Sequence, residues 1–224
     1  MIIIIQCAAK KRNDAGHLAT TSGKPVLFVA DPQAAPTASG YVYAHPDDLS
    51  DIGISWRQAL ARYNENAEGN PLRLSPAYQL YENKTYQRLV DRFGAHNVCI
   101  LSAGWGLIRA EFLTPKYDIT YSRSALRYAR RRKTDRYQDF CMLHDDIEDE
   151  IVFFGGKDYL LLFASLTKAV RCKKTAFYNS GSTPHVPNCM LKQFRTNTRT
   201  NWHYECANAF INETIDAPFS KSPK

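Results

Sequence analysis

The chain has 224 residues, of which 44% are hydrophobic and 23% charged. That balance excludes a wholly disordered, collagen-like or coiled-coil chain, and at about 150 residues per domain it predicts one folded unit. The formal charge of +7 points to a polyanionic partner, and no apolar stretch approaches the ~20 residues that cross a bilayer.

Residues 1–6 form a short, β-branched apolar run and predict a buried first strand. No basic segment precedes that run, so a secretory signal is not expected and the protein is placed in the cytoplasm. Residues 7–16 carry Lys10, Lys11 and Arg12 and predict a loop at the strand's C-terminal end. Residues 25–30 predict a second strand, and the Pro/Ala/Ser-rich stretch 31–39 an irregular connection. Within residues 46–67, Trp56, Leu60 and Tyr63 recur at helical spacing. Residues 77–93 predict a helix burying Tyr78, Tyr81, Tyr86, Leu89 and Phe93, with Gly94 as its stop. Residues 98–102 then read as a central strand, and the helix–glycine–strand rhythm is that of an α/β domain with a mainly parallel sheet. A basic segment (123–136), an acidic one (145–150), a helix (159–170), a short strand (175–178) and a last helix (199–213) follow. Residues 1–214 are expected to form the domain and 215–224 a frayed tail. The cysteines, Cys7, Cys99, Cys141, Cys172, Cys189 and Cys206, include no C-x-x-C pair; they predict small core residues rather than a zinc site or disulfides.

The sharpest segment is Ser102-Ala103-Gly104-Trp105-Gly106, followed by Tyr117-Asp118. Small residues at the C-terminal end of a parallel strand let the backbone approach a ligand, although such a turn is as often only a turn. It lacks the Gly-Lys-Ser/Thr of a phosphate loop, and Ser102 precedes the glycines, unlike a nucleophile elbow.

Taken together, Cys7-Ala8-Ala9-Lys10-Lys11, Ser75-Pro76-Ala77-Tyr78-Gln79-Leu80-Tyr81, Ile100-Leu101-Ser102-Ala103-Gly104-Trp105-Gly106-Leu107-Ile108 and Pro115-Lys116-Tyr117-Asp118-Ile119-Thr120 resemble the YaaA-like proteins. They are also similar to the archaeosine-synthase domain with its P-C-S-x-K-K-P and P-x-x-Y-D motifs. The resemblance covers about a quarter of the chain. It implies a nucleic-acid context, a fold related to uracil-DNA glycosylases, and a pocket at Gln6, Cys7, Lys10, Ser102, Gly104, Trp105, Gly106, Tyr117 and Asp118. Gln6 stands where that pattern has proline, which leaves the role of the first loop open.

A glycosylase flips a base into a pocket, reads its edge, and uses a carboxylate to steady a cationic sugar and position water. Asp118 is the first candidate for that carboxylate, against a turn-capping role, and Glu111 the second, against a solvated one. Asn179, followed by Ser180, is the candidate base reader, against an ordinary Asn-Ser-Gly turn. Trp105 serves either as a stacking platform or as core. His45-Pro46-Asp47-Asp48 is read as a helix start, and His185 as a loop residue.

Arg123, Arg127, Arg130, Arg131, Arg132 and Lys133 form the clearest basic cluster, with Arg127, Arg130 and Arg131 on one face if the segment is helical; Arg195 and Arg199 add a second. Such residues neutralise phosphates. The sequence therefore reads as a single α/β domain, a metal- and cofactor-independent DNA glycosylase that removes a modified base, a sugar-decorated pyrimidine of phage DNA being one candidate. DNA is the expected partner, RNA the alternative one, and no membrane is involved. The rival readings are a DNA-binding protein without catalysis and an RNA-base modifier.

Overall fold

The computed structural model describes residues 1–37, 40–66, 68–198 and 200–215. Its centre is a seven-stranded, mostly parallel sheet. β1 (Ile2–Gln6) lies in the middle, parallel to β5 (Val98–Ser102) on one side and to β10 (Ile151–Phe154) on the other, with Ile4 opposite both Cys99 and Phe153. β11 (Lys174–Tyr178) and β12 (Met190–Gln193) extend the parallel array beyond β10. Taken in chain order, these five parallel strands are arranged 2-1-3-4-5, a common doubly wound order.

Both faces of the sheet are covered, which is why Ile2, Ile3, Ile4 and Ile5 are all buried rather than alternating. Successive strand residues point to opposite faces, and Phe153 and Phe154 show the result. Phe153 stacks on Phe163 of α3 (Lys157–Leu166) at 4.5 Å, whereas Phe154 meets Phe210 of α4 (Trp202–Ile211) at 5.4 Å. α3 and α4 therefore lie on opposite faces. α2 (Thr85–Phe93) shares the α4 face, where Phe93 stacks on Phe210. No helix among the described residues is long and apolar enough to cross a membrane.

Several expected elements are shorter or different. The helix expected over 77–93 begins only at Thr85, because the Leu80 carbonyl accepts the Arg12 N–H and Tyr81 bridges Lys11 instead of continuing a helical ladder. The helix sought within 46–67 is α1 (Trp56–Glu65), started by a capping box between Ser55 and Gln58. The basic stretch 123–136 is not a helix. It holds one 3-10 turn, Arg127–Ala129, and a bridge from Thr120 to Arg130, so its arginines share no helical face.

The glycine-rich turn after β5 opens an antiparallel hairpin into β6 (Gly106–Arg109), which β9 (Phe140–Cys141) extends. Gly106 has φ +87°, and a Cβ there would lie 2.5 Å from the Phe140 carbonyl oxygen. Its small size serves a close approach of protein to protein, not of ligand. A second sheet of β3 (Val42–Ala44), β2 (Val26–Val29) and β8 (Tyr117–Asp118), all parallel, stands beside the main one. β4 (Ser75–Pro76) pairs with β7 (Leu113–Thr114). Of the expected tail, Ile215 packs half-buried against the core, and 216–224 lie outside the described residues.

Candidate functional site

In the 2-1-3-4-5 order the chain leaves β1 toward β5 and later returns to β10 on the other side. Ligands of open α/β sheets bind at such a switch point, outside the carboxyl ends of the strands. At that point β1 delivers Gln6 and Cys7, and β10 delivers Gly155 and Gly156, from which α3 starts. The Gly156 N–H donates to Gln6 Oε1 at 2.6 Å and ties the two strand ends together. A cleft of about 680 Å³ opens above them.

The floor of the cleft is a network of buried hydroxyls around a thiol. Cys7 Sγ accepts the Ala103 N–H at 3.3 Å and lies 3.2 Å from the Tyr159 hydroxyl. Behind it, Ser102 Oγ accepts the N–H groups of Gly104 and Trp105 and donates to the Tyr117 hydroxyl at 2.8 Å. Tyr117 in turn meets Tyr81 at 2.9 Å. Tyr86 donates to the Gln6 carbonyl at 2.8 Å and contacts the Tyr204 hydroxyl at 3.0 Å. Burial pushes the Tyr81, Tyr117 and Tyr159 phenols well above the ordinary range, and Tyr204 up to about 12. These phenols are neutral hydrogen-bonding groups at physiological pH.

Two basic side chains, Lys11 and His203, stand out because they are buried without a hydrogen-bond partner at Nζ and Nε2. Lys11 is buried with Nζ 3.9 Å from the centre of the Tyr117 ring and without a hydrogen-bond partner; desolvation lowers its pKa, with Cys7 and Asp118 pulling the other way. His203, at the start of α4, lines the cleft at 4% exposure. Its Nε2 has no partner, and burial pushes its pKa down to about 4, so it is neutral at pH 7. Among the described residues, the two carboxylates that line the cleft are paired: Glu82 with Lys10 at 2.6 Å, and Asp158 with Lys133 at 2.8 Å.

Of the expected site residues, Gln6, Cys7 and Lys10 line the cleft. Ser102, Trp105 and Tyr117 are buried behind it, and Gly104 packs against the Tyr117 ring. Trp105 meets Phe28 edge to face at 4.9 Å and is core, not a stacking platform. Asp118 is half-buried on β8, outside the cleft lining, and burial together with the Asp118 carboxylate raises the pKa of Tyr128. Asn179 and Ser180 follow β11 at the same sheet edge, two strands from β1, also outside the lining; Ser180 Oγ donates to the Ser182 carbonyl. Glu111 lies at the wrong edge. β6 runs antiparallel to β5, with Arg109 opposite Cys99, so the chain beyond Arg109 emerges at the amino end of the parallel strands.

The basic cluster divides. Arg131 is interior, held by Asp139 and the Ala103 carbonyl, and is spent on structure. Arg123, Arg127, Arg130, Arg132 and Lys133 are exposed. Arg127, Arg130, Arg132 and Arg136 line a groove of about 470 Å³, in which Arg127 lies 3.4 Å from Asp31. A smaller hollow of about 350 Å³ lies between groove and cleft: it shares Asp135, Arg136 and Tyr137 with the groove, and Tyr121 and Asp158 with the cleft. Arg195 is exposed beyond β12, and Arg199 lies outside the described residues. Among the described residues no cluster of His, Cys, Asp and Glu fits a metal ion.

Sequence reasoning missed Asp158, Tyr159 and His203. The signal for the first two was present: the apolar run 151–154 followed by Gly155-Gly156 repeats the strand-then-glycine pattern of 98–104. His203 carried no such signal, since its chemistry comes from burial. No protein-family model matches the chain, and neither a curated protein nor a solved structure matches it.

Proposed function

We propose that the chain is a nucleic-acid base-processing enzyme, a DNA glycosylase that draws a modified base into the switch-point cleft and hydrolyses its N-glycosidic bond. The observation that carries this reading is that the cleft and the arginine groove flank one hollow, sharing Tyr121 and Asp158 on one side and Arg136 and Tyr137 on the other as common walls. A cleft for the base and a basic track for the flanking phosphates are the two parts that base extrusion requires. The 2-1-3-4-5 strand order supports a fold of the uracil-DNA-glycosylase class.

The roles then move from Asp118 and Asn179 to residues that line the cleft. Gln6 has its Oε1 fixed by Gly156, which turns its amide N–H groups into oriented donors for a carbonyl or ring nitrogen of the base. Asp158 takes a proton from water as the water oxygen bonds to C1′. The C1′–N bond breaks, its electron pair leaves with the base, and solvent reprotonates the base. The cleft exceeds what an unmodified base fills, which favours a substituted base, and Asn83, Ser122, Thr200 and Asn201 offer hydroxyl and amide partners to a polar substituent.

The pairing of both cleft carboxylates with lysines favours the second reading, a DNA-binding protein without catalysis. Incubation with DNAs of different base modification, and with total tRNA, followed by mass spectrometry of released bases, separates the readings. Release from one DNA with matching abasic sites is expected. Salt-sensitive binding without release from any sample leaves the binding protein, and release from tRNA alone leaves the RNA-base modifier.

A further inference from the structure

The first turns of two helices meet at the cleft. Gly156, Asp158 and Tyr159 of the α3 start and Asn201, Trp202 and His203 of the α4 start all line it. Both helices have ten residues, and neither has a side-chain cap. Gly156 has no side chain to offer, and Asn201 sits in the left-handed region at φ 65°, ψ 4°, with no cap bond from its amide. Helix starts without caps leave N–H groups and positive partial charge directed outward, the arrangement that binds anions.

His203 supplies an independent observation. It is buried to 4% exposure on the cleft wall, and its Nε2 lacks any partner. A buried polar atom without a partner is costly in a native protein and calls for an explanation; a ligand that accepts its proton is one. Of the nearby carboxylates, Glu82 pairs with Lys10 and Asp158 with Lys133, while Glu205 in the first turn of α4 is held by the Thr196 and Thr198 hydroxyls.

We infer that the cleft holds a phosphate group between the first turns of α3 and α4, with His203 as its side-chain partner, so that the ligand is engaged as a nucleotide rather than as a base alone. This rests on the nucleic-acid reading above and names the unit that the same site recognises. The phosphate belongs either to a free mononucleotide or to the backbone beside an extruded base.

The test titrates the full chain with inorganic phosphate, a deoxynucleoside, its 5′-monophosphate and a short single-stranded oligonucleotide, following affinity by calorimetry and the Lys157, Asp158, Trp202 and His203 amides by NMR. The monophosphate is expected to bind at least roughly tenfold more tightly than the nucleoside, to shift those amides and to be displaced by inorganic phosphate. His203→Ala should remove most of that preference and His203→Gln less, with circular dichroism unchanged. Amide shifts with the oligonucleotide but not the mononucleotide also support the site and assign the phosphate to the backbone. Equal affinity for nucleoside and nucleotide, or shifts confined to the arginine groove, overturns the inference. If His203→Ala unfolds the chain, the His203→Gln titration decides alone. Base release without phosphate preference would sink this inference and leave the glycosylase; phosphate preference without release would do the reverse.

Discussion

Arg131 and Asp139 face each other as a two-pronged ion pair inside the protein, Nη1 to Oδ1 at 2.9 Å and Nη2 to Oδ2 at 2.6 Å. Nη1 also donates to the Ala103 carbonyl at 2.8 Å, and the guanidinium lies 3.7 Å from the centre of the Tyr137 ring. Arg57 reaches the next two carbonyls, Gly104 at 3.1 Å and Trp105 at 3.0 Å, and is itself held by Asp47. Two buried arginines thus fix the turn that carries the Ala103 N–H to Cys7, on the cleft floor.

Removing one partner of a buried pair strands the other charge. Asp139→Ala is therefore expected to destabilise the fold by about 3–5 kcal/mol, measured by urea denaturation. A cost below about 1 kcal/mol, the range of exposed pairs, would show that the pair is solvated.

The exposed arginines behave differently. Arg127→Ala, Arg130→Ala and Arg132→Ala should leave stability within about 0.5 kcal/mol. Each that contacts a phosphate should weaken oligonucleotide binding and lower the salt slope by roughly one. Titration at several salt concentrations checks this, and an unchanged slope in the triple variant would remove the groove from the binding track.

His203 makes stability fall in acid. Its folded pKa of about 4 lies below the ordinary 6.5, so the unfolded chain binds the extra proton first. The penalty is absent above pH 6.5, grows as the pH falls through that value, and is complete below about 4, reaching roughly 3 kcal/mol. His203→Gln should flatten the stability profile between pH 6.5 and 4, read by denaturation at each pH. An unchanged slope would mean that the imidazole is solvated.

Lys11 acts in the window between its lowered folded pKa and the ordinary 10.5. There the unfolded chain holds the proton more readily, so stability should rise with pH across that window and level off above it. Lys11→Met keeps the stem's volume and removes the unpartnered amine, and should raise the melting temperature at pH 7. A fall would show that the amine's contact with the Tyr117 ring outweighs its desolvation.

The parallel core was legible because its strands announce themselves locally: residues 2–5 are four isoleucines, and Val98–Ser102 follows a helix and Gly94. The cleft was half legible, since Gln6, Cys7 and Lys10 follow the first strand directly. What failed depended on distant partners. Leu80 and Tyr81 lie in a helical pattern but pair with Arg12 and Lys11. Arg131 looks like its exposed neighbours until Asp139 is placed beside it. Asp118 sits two residues from Thr120, which lines the cleft, yet belongs to another sheet. Met190–Gln193 has no β-branched residue and is a strand only because β11 offers an edge.

The central claim is that chemistry occurs in the switch-point cleft and not at the Tyr117-Asp118 connection. Single-turnover base release by Asp158→Asn and Asp118→Asn, compared with the parent chain on the DNA that yields a base, tests it most directly. Asp158→Asn should lose about 10²-fold or more in rate, while Asp118→Asn keeps activity within a few-fold. Loss in Asp118→Asn with Asp158→Asn unaffected would contradict the account and return the site to β8.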